Sequence, residues 1–284
     1  MNGENVIRRH TTVKNSVIFG ILTVFSLIFV APILIVFMNS FKDKLHISDT
    51  PFTFPTPETY VRLDNYITGI VNIGFINAFG WSLFITLSSV AVILLCTSMT
   101  AWYITRVKNK FNSLLYYILV FSMVVPFQMV MFTLSKFANI LHLDNPLGII
   151  VIYLGFGAGM STFLFCGFIR SIPIEIEEAA MIDGCNAIQL YFRVIFAMLK
   201  PITITVAILN AMWIWNDYLL PYLLIGSDYK TIPIAIQYLQ GGYGSIDMGA
   251  MMAMLVLAVI PIIVFYAICQ KYIIEGVVAG AVKG

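Results

Sequence analysis

The chain has 284 residues, 60% of them hydrophobic and only 11% charged, with a formal net charge of +2. Soluble domains carry about 25% charged residues, so composition excludes an ordinary water-soluble globule and points to an integral membrane protein. The small net charge gives no footing for a nucleic-acid partner.

In chain order, six charge-poor intervals carry the apolar material. They lie between Lys14 and Lys42, Asp64 and Arg106, Lys110 and Lys136, Asp144 and Arg170, Lys200 and Asp228 (interrupted by Asp217), and Asp247 and Lys271. Each supplies the roughly 20 apolar residues that a membrane helix needs. The spans are expected near 16–38, 77–103, 113–135, 146–169, 202–225 and 249–271. The first run lacks a small-residue cleavage pattern and is too long for a leader core, so it counts as a span. No alternating ten-residue pattern occurs, and backbone groups in hydrocarbon must pair internally, so helices are expected rather than barrel strands. Pro32, Pro126, Pro221 and Pro261 fall inside spans and are expected to kink them.

Six spans put both termini on one side. Arg8, Arg9, Lys14, Arg106, Lys108, Lys110, Arg170, Arg193, Lys200, Lys271 and Lys283 share that side, eleven in all, against Lys42, Lys44, Arg62, Lys136 and Lys230, five, on the other. The positive-inside rule places the termini in the cytoplasm of a multi-pass plasma- or inner-membrane protein.

Outside the spans, P-F-T-F-P-T-P at 51–57 favours an extended or turning path in an external loop from about 39 to 76, either a connector or a contact surface. G-G-Y-G at 241–244 lacks the strand–helix context of a phosphate loop. The four cysteines (Cys96, Cys166, Cys185, Cys269) are scattered and imply neither metal nor disulfide framework. The histidines (His10, His46, His142) lie outside the spans, which disfavours a His-dependent intramembrane hydrolase. No 20–50-residue repeat is evident, and no duplicated half of the kind that marks inverted-repeat carriers.

One stretch breaks the avoidance of charge. In 171–201, Pro173 suits the first turn of a helix. Glu175, Glu177 and Glu178 then sit near its positive end, and Gly184 fits the position that stops it. A second helix, roughly 187–199, is too short to span and is expected along the membrane surface or against neighbouring spans. The two form a helix–turn–helix knob on the cytoplasmic face. Ala179 and Ala180 thin part of its surface, so a partner's backbone can approach.

The order Glu178-Ala179-Ala180-Met181-Ile182-Asp183-Gly184, followed by an apolar helix ending at Lys200-Pro201, resembles the E-A-A loop of ABC importer permeases. Phe196-Ala197 departs from the Leu-Pro common there. W-I-W-N-D-Y-L-L-P at 213–221, L-D-N-Y at 63–66 and G-V-V-A-G-A-V-K-G at 276–284 are similar to the carbohydrate branch, and most closely to the second permease of maltose-type importers. The resemblance implies an all-α, type I permease with a cytoplasmic helix–turn–helix coupling loop. In it Glu178 would pair with a basic residue of a separate ATPase, while Ala179, Ala180, Asp183 and Gly184 complete the docking surface. A cytoplasmic tail, 272–284, would reach between two ATPase subunits through Gly280, Lys283 and Gly284. The implied partners are a second permease subunit, an ATP-binding cassette ATPase dimer, an extracytoplasmic sugar-binding protein and membrane lipid. No G-x-x-x-x-G-K-[ST] occurs. The chain is therefore expected to bind no cofactor and to be no enzyme itself, with ATP used by the partner. Other solutes, such as a glycerol-phosphate ester or a polyamine, stay open, as does an ion-coupled carrier.

Asp217 stands alone in the fifth interval, and an acid there costs about 2.5–3.5 kcal/mol on insertion scales. With Asn216, Trp213 and Trp215 it forms a candidate substrate-pathway cluster. The alternative role is structural: Pro221 frees the carbonyl of residue 217, and Asp217 with Asn216 would knit the resulting kink to a neighbouring span. Both roles stay open.

Overall fold

In the computed structural model, residues 3–226, 228–240 and 247–281 are described, with side chains over 15–226, 228–239 and 247–271. The glycine cluster at 241–244, Lys283 and Gly284 lie outside the described residues. Every regular element among those described is helical, and an isolated antiparallel bridge joins Lys42 to Tyr60. The all-α membrane fold class is therefore what the chain adopts. The structure separates into two units, one of residues 1–73 with 238–259 and the other of 74–237 with 260–284.

The first unit holds α1 (Gly3–Asn39), α2 (Lys44–Asp49), α3 (Asp64–Asn72) and the first turns of α14 (Met248–Ala281). Within α1, Asn15–Asn39 is strongly apolar, and its described side chains are exposed or half-buried up to Asn39, which is buried at the end. A helix that is hydrophobic all round suits hydrocarbon, and 25 residues at 1.5 Å each give about 37 Å, enough to cross a bilayer core. Pro32 lies within this continuous helix. The segment after α1 is pinned from inside. The Lys42 ammonium is buried and donates to the Thr50 carbonyl and, at 3.2 Å, to Thr53 Oγ1. Asn65 Nδ2 donates to the carbonyls of Ser40 and Lys42, both at 2.8 Å. Burial pushes the Lys42 amine below its ordinary range. The expected external loop is thus an ordered knob, with turns at 51–53 and 57–59 around its prolines.

The second unit is built on α4 (Phe75–Arg106) and α7 (Pro146–Ile169), which pack along one another. On α4 the buried positions Ala78, Ser82, Ile85, Ser89, Ile93, Thr97 and Ala101 recur every three or four residues, which is one helix face. On α7, Ile149, Tyr153, Gly157, Ser161 and Phe165 do the same. Small residues on both stripes bring the backbones close, as membrane helix packing requires. At Gly157 a Cβ would sit 2.7 Å from Ile93 Cδ1 and 2.9 Å from Asn210 Oδ1. Asn210 belongs to α11 (Lys200–Asn216) and donates across to Ser161 Oγ at 3.0 Å.

Two of the expected spans are not single helices. The stretch expected at 113–135 is two helices, α5 (Lys110–Ser122) and α6 (Phe127–Ile140), bent by 106°. Thirteen residues rise only about 20 Å, and Pro126 ends the connection by preceding α6 in extended backbone. The stretch expected at 202–225 breaks into α11 and α12 (Leu219–Ile225). Among the described residues four helices are long and apolar enough to cross a membrane, and up to six crossings result if two bent pairs, α5 with α6 and the helix at Ala187–Met198 with α11, each count as one. The sixth apolar stretch, Met248–Lys271, continues as helix to Ala281, through the backbone of Gly276 and Gly280.

Candidate functional site: the coupling loop and the broken fifth helix

The loop begins with α8 (Ile174–Ile182), whose N-cap is Pro173 rather than a residue of the first turn. It ends in a complete Schellman motif. The Gly184 N–H donates to the Met181 carbonyl and the Cys185 N–H to the Ala180 carbonyl, both at 3.0 Å. Gly184 has φ +89°, a conformation that costs L-residues with a side chain, so glycine is needed here. Asn186 then opens the second helix with a reciprocal capping box to Gln189. That helix runs through α9 (Ala187–Gln189), a π-helical turn at Leu190–Ile195 and α10 (Phe196–Met198). After Leu199 the chain turns by 77° into α11, with Pro201 in the first turn where its missing N–H leaves no gap.

The second helix does not lie free on a membrane surface. Leu190, Tyr191, Ile195 and Leu199 are buried with Ala101, Phe165, Cys166 and Ile169 of α4 and α7. Tyr191 and Ser98 share a hydroxyl–hydroxyl hydrogen bond at 2.6 Å. The first helix is tied down separately. Glu177, grouped above with Glu175 and Glu178 near the helix's positive end, is buried at 4% exposure. Its carboxylate accepts from Arg106 Nε at 2.7 Å and from Trp102 Nε1 at 3.0 Å. Arg106 also donates to the Ile172 carbonyl at 3.0 Å. Three residues that the sequence reading did not single out as site residues, Trp102, Arg106 and Glu177, thus join the loop to the end of α4.

The residues expected at the docking surface separate. Glu178, Ala179, Asp183 and Gly184 are exposed, while Ala180 is half-buried against the unit's own core. The surface expected of two alanines therefore belongs to Ala179. Beside it Met181, Ile182 and Ile188 stand in solvent at 53%, 86% and 71% exposure. The tip is a small acidic and apolar surface on a rigid base. Of the tail residues named above, only Gly280 falls in described backbone.

The fifth-helix cluster also divides. Asp217 adopts extended backbone, and its Oδ1 accepts from the N–H groups of Leu219 and Leu220 at 3.1 and 3.4 Å. It therefore caps α12 across the break. Its Oδ2 accepts from the Tyr153 hydroxyl at 3.1 Å, which ties the break to α7. Pro221 falls in the first turn of α12, where its absent N–H has no helical partner to lose. Trp213 stands edge-on to the Tyr153 ring at 5.5 Å. Trp215 has other neighbours. It is buried, stacks edge-on to Phe79 at 5.8 Å, and lines an apolar cavity of about 110 Å³ with Thr86, Met212 and Phe265. Asn216 is exposed and returns its amide to the Met212 carbonyl of its own helix. Tyr153 was missed because an isolated tyrosine in an apolar run carries no sign of the acid 64 residues away.

Comparison with known proteins agrees with this architecture. Residues 93–278 match the family described as binding-protein-dependent transport system inner membrane component. The probable starch degradation products transport system permease protein AmyC of Thermoanaerobacterium thermosulfurigenes is 38% identical over 261 residues, 92% of this chain and 94% of that protein. The multiple sugar-binding transport system permease protein MsmG of Streptococcus mutans is 36% identical, over 93% of this chain and 96% of that protein. A crystal structure of a bacterial ABC transporter involved in import of the acidic polysaccharide alginate shares the fold, with TM-score 0.75 at 24% identity over 93% of this chain and 96% of its own. With its E-A-A loop carried on α4 and α7, the chain belongs to the family of inner-membrane components of binding-protein-dependent transport systems.

Proposed function

We propose that the chain is one of two permease subunits of an ATP-driven carbohydrate importer and forms half of its translocation pathway. Oligosaccharides are the substrate class favoured by the relatives' names, which speak of starch degradation products and multiple sugars. In this reading both termini and the 171–201 loop face the cytoplasm, and an external sugar-binding protein delivers substrate.

The observation that carries the reading is the construction of the loop. Its exposed tip, Glu178, Ala179, Met181, Ile182 and Asp183, offers an acidic and apolar patch to a separate ATPase. Its base is locked to α4 by the buried Arg106–Glu177 pair, and its end passes through a 77° turn into α11. A push on the tip is delivered to α4 and α11 as rigid-body displacement of packed helices rather than absorbed within the loop. ATP acts only in the partner.

The test is reconstitution of the chain in vesicles with its second permease, ATPase and binding protein. ATP-dependent uptake of a labelled maltooligosaccharide that fails when any one component is omitted supports the reading. Uptake that persists without ATP and partner chains overturns it in favour of an ion-coupled carrier.

A further inference from the structure

Three helix ends meet on the side of the second unit that carries Arg106, Lys108, Lys110 and Arg170. They are the end of α4, the start of α5 and the end of α7, and between them lies a cleft of about 370 Å³. Two cations line it, Lys108 and Arg170, and neither has a carboxylate within salt-bridge distance among the described residues. The Arg170 guanidinium is held 5.8 Å over the Tyr116 ring, so it is placed rather than trailing in solvent. Asn112 also lines the cleft. It is 1% exposed, its amide nitrogen donates to the Val107 carbonyl, and its Oδ1 has no hydrogen-bond partner. A buried acceptor without a donor is uncommon and calls for one.

The cleft does not end in water on every side. Tyr117 belongs both to it and to a shallow, apolar trough along α5 formed with Ile118, Phe121 and Val124. Those side chains are all more than half exposed, on a chain that spans a membrane. A polar, cationic cleft at a helix end thus opens into an apolar track running along the helix toward the hydrocarbon.

We propose that this is a binding site for an anionic glycerophospholipid with a hydroxyl-bearing headgroup, of the phosphatidylglycerol class. The phosphodiester sits between Lys108 and Arg170. A headgroup hydroxyl donates to Asn112 Oδ1. An acyl chain lies along Tyr117, Ile118 and Phe121. Each part of the lipid answers a feature left open: two cations without a carboxylate partner, a buried acceptor without a donor and an exposed apolar track. Basic clefts between membrane helices on the positively charged side are physically suited to such headgroups. The site is independent of the transported solute.

The experiment is native mass spectrometry of the full-length chain in detergent, titrated with phosphatidylglycerol or with phosphatidylcholine of the same acyl chains. Wild type is expected to retain phosphatidylglycerol where phosphatidylcholine dissociates. Lys108→Ala with Arg170→Ala is expected to bind phosphatidylglycerol about thirtyfold more weakly, from loss of two cations near a charged surface. Lys136→Ala, which removes an exposed cation elsewhere, is expected to bind as wild type. Should the double variant fold poorly, Lys108→Ala alone is expected to lose about fivefold. Equal binding of the two lipids, or unchanged binding in both cleft variants, overturns the proposal. So does displacement of the lipid by inorganic phosphate alone, which would make the cleft a simple anion site. Protection of Lys108 from an amine-reactive label by a partner subunit, but not by phosphatidylglycerol, would make it a protein interface instead.

Discussion

Arg106 and Glu177 meet at 2.7 Å although 71 residues separate them, and both side chains are largely withdrawn from solvent. The pair joins the end of a long membrane helix to the first helix of the coupling loop. Glu177 is additionally held by Trp102 and Arg106 by the Ile172 carbonyl. A buried charge pair is poor evidence of net stabilisation, but losing one partner strands the other. That asymmetry gives the pair a measurable signature.

Arg106→Met or Glu177→Leu alone is expected to cost about 3–5 kcal/mol. Arg106→Met combined with Glu177→Leu is expected to recover most of it. Thermal unfolding in detergent, arranged as a double-mutant cycle, measures the coupling. Additive losses would show that the two residues do not act as a pair. An importer assembled with the folded double variant should show reduced uptake per ATP hydrolysed by its ATPase, because the loop has lost its polar tie to α4.

Glu178 differs from its neighbour Glu177 in being exposed. Glu178→Lys is expected to abolish ATP-driven uptake while leaving membrane insertion and thermal stability unchanged, since it inverts a charge on the proposed docking tip and touches no packed group. Normal uptake by this variant would remove the docking role from Glu178.

Asp217 acts as an acceptor, for two backbone N–H groups and for the Tyr153 hydroxyl. Asp217→Asn keeps a carbonyl acceptor and is expected to transport with unchanged apparent affinity. Asp217→Ala removes the cap and is expected to cost about 1 kcal/mol or more. Both are read by uptake kinetics alongside thermal unfolding. A changed apparent affinity in the Asn variant with unchanged stability would instead place the carboxylate in the solute pathway.

Gly157 of α7 packs tightly against Ile93 of α4 and Asn210 of α11. Gly157→Val is expected to destabilise the unit by about 1–3 kcal/mol, the usual penalty of overpacking. Gly167 lies on the same helix with open space around its Cβ position, and Gly167→Ala should be nearly neutral. Thermal midpoints of the two variants, measured together, check the contrast.

Much of this molecule could be read from its residues in order. Hydropathy and the placement of charge delimit the apolar stretches because a bilayer acts as a solvent on each segment separately. The end of α8 at Gly184 is just as local: a positive φ and two backbone hydrogen bonds within six residues are decided by that glycine. The E-A-A order around Glu178 identified the family for the same reason, since a motif is a local pattern.

What stayed hidden depends on partners far along the chain. Nothing near Glu177 separates it from Glu178; only Arg106 and Trp102, brought in by the packing of α4, bury one and leave the other in water. Trp213 and Trp215 are two residues apart, yet one meets Tyr153 and the other Phe79. Pro126 and Pro221 signalled irregular helices, but neither could say that the first bend would reach 106° or that the second break would fall at Asp217. The sequence alone determined the membrane class, the apolar segments, the stop at Gly184 and the family. Tertiary packing decided which acid is buried, which aromatic faces which neighbour and how sharply two helices turn. Those outcomes depend on pairs separated by tens of residues, whose energies exist only once the helices have come together.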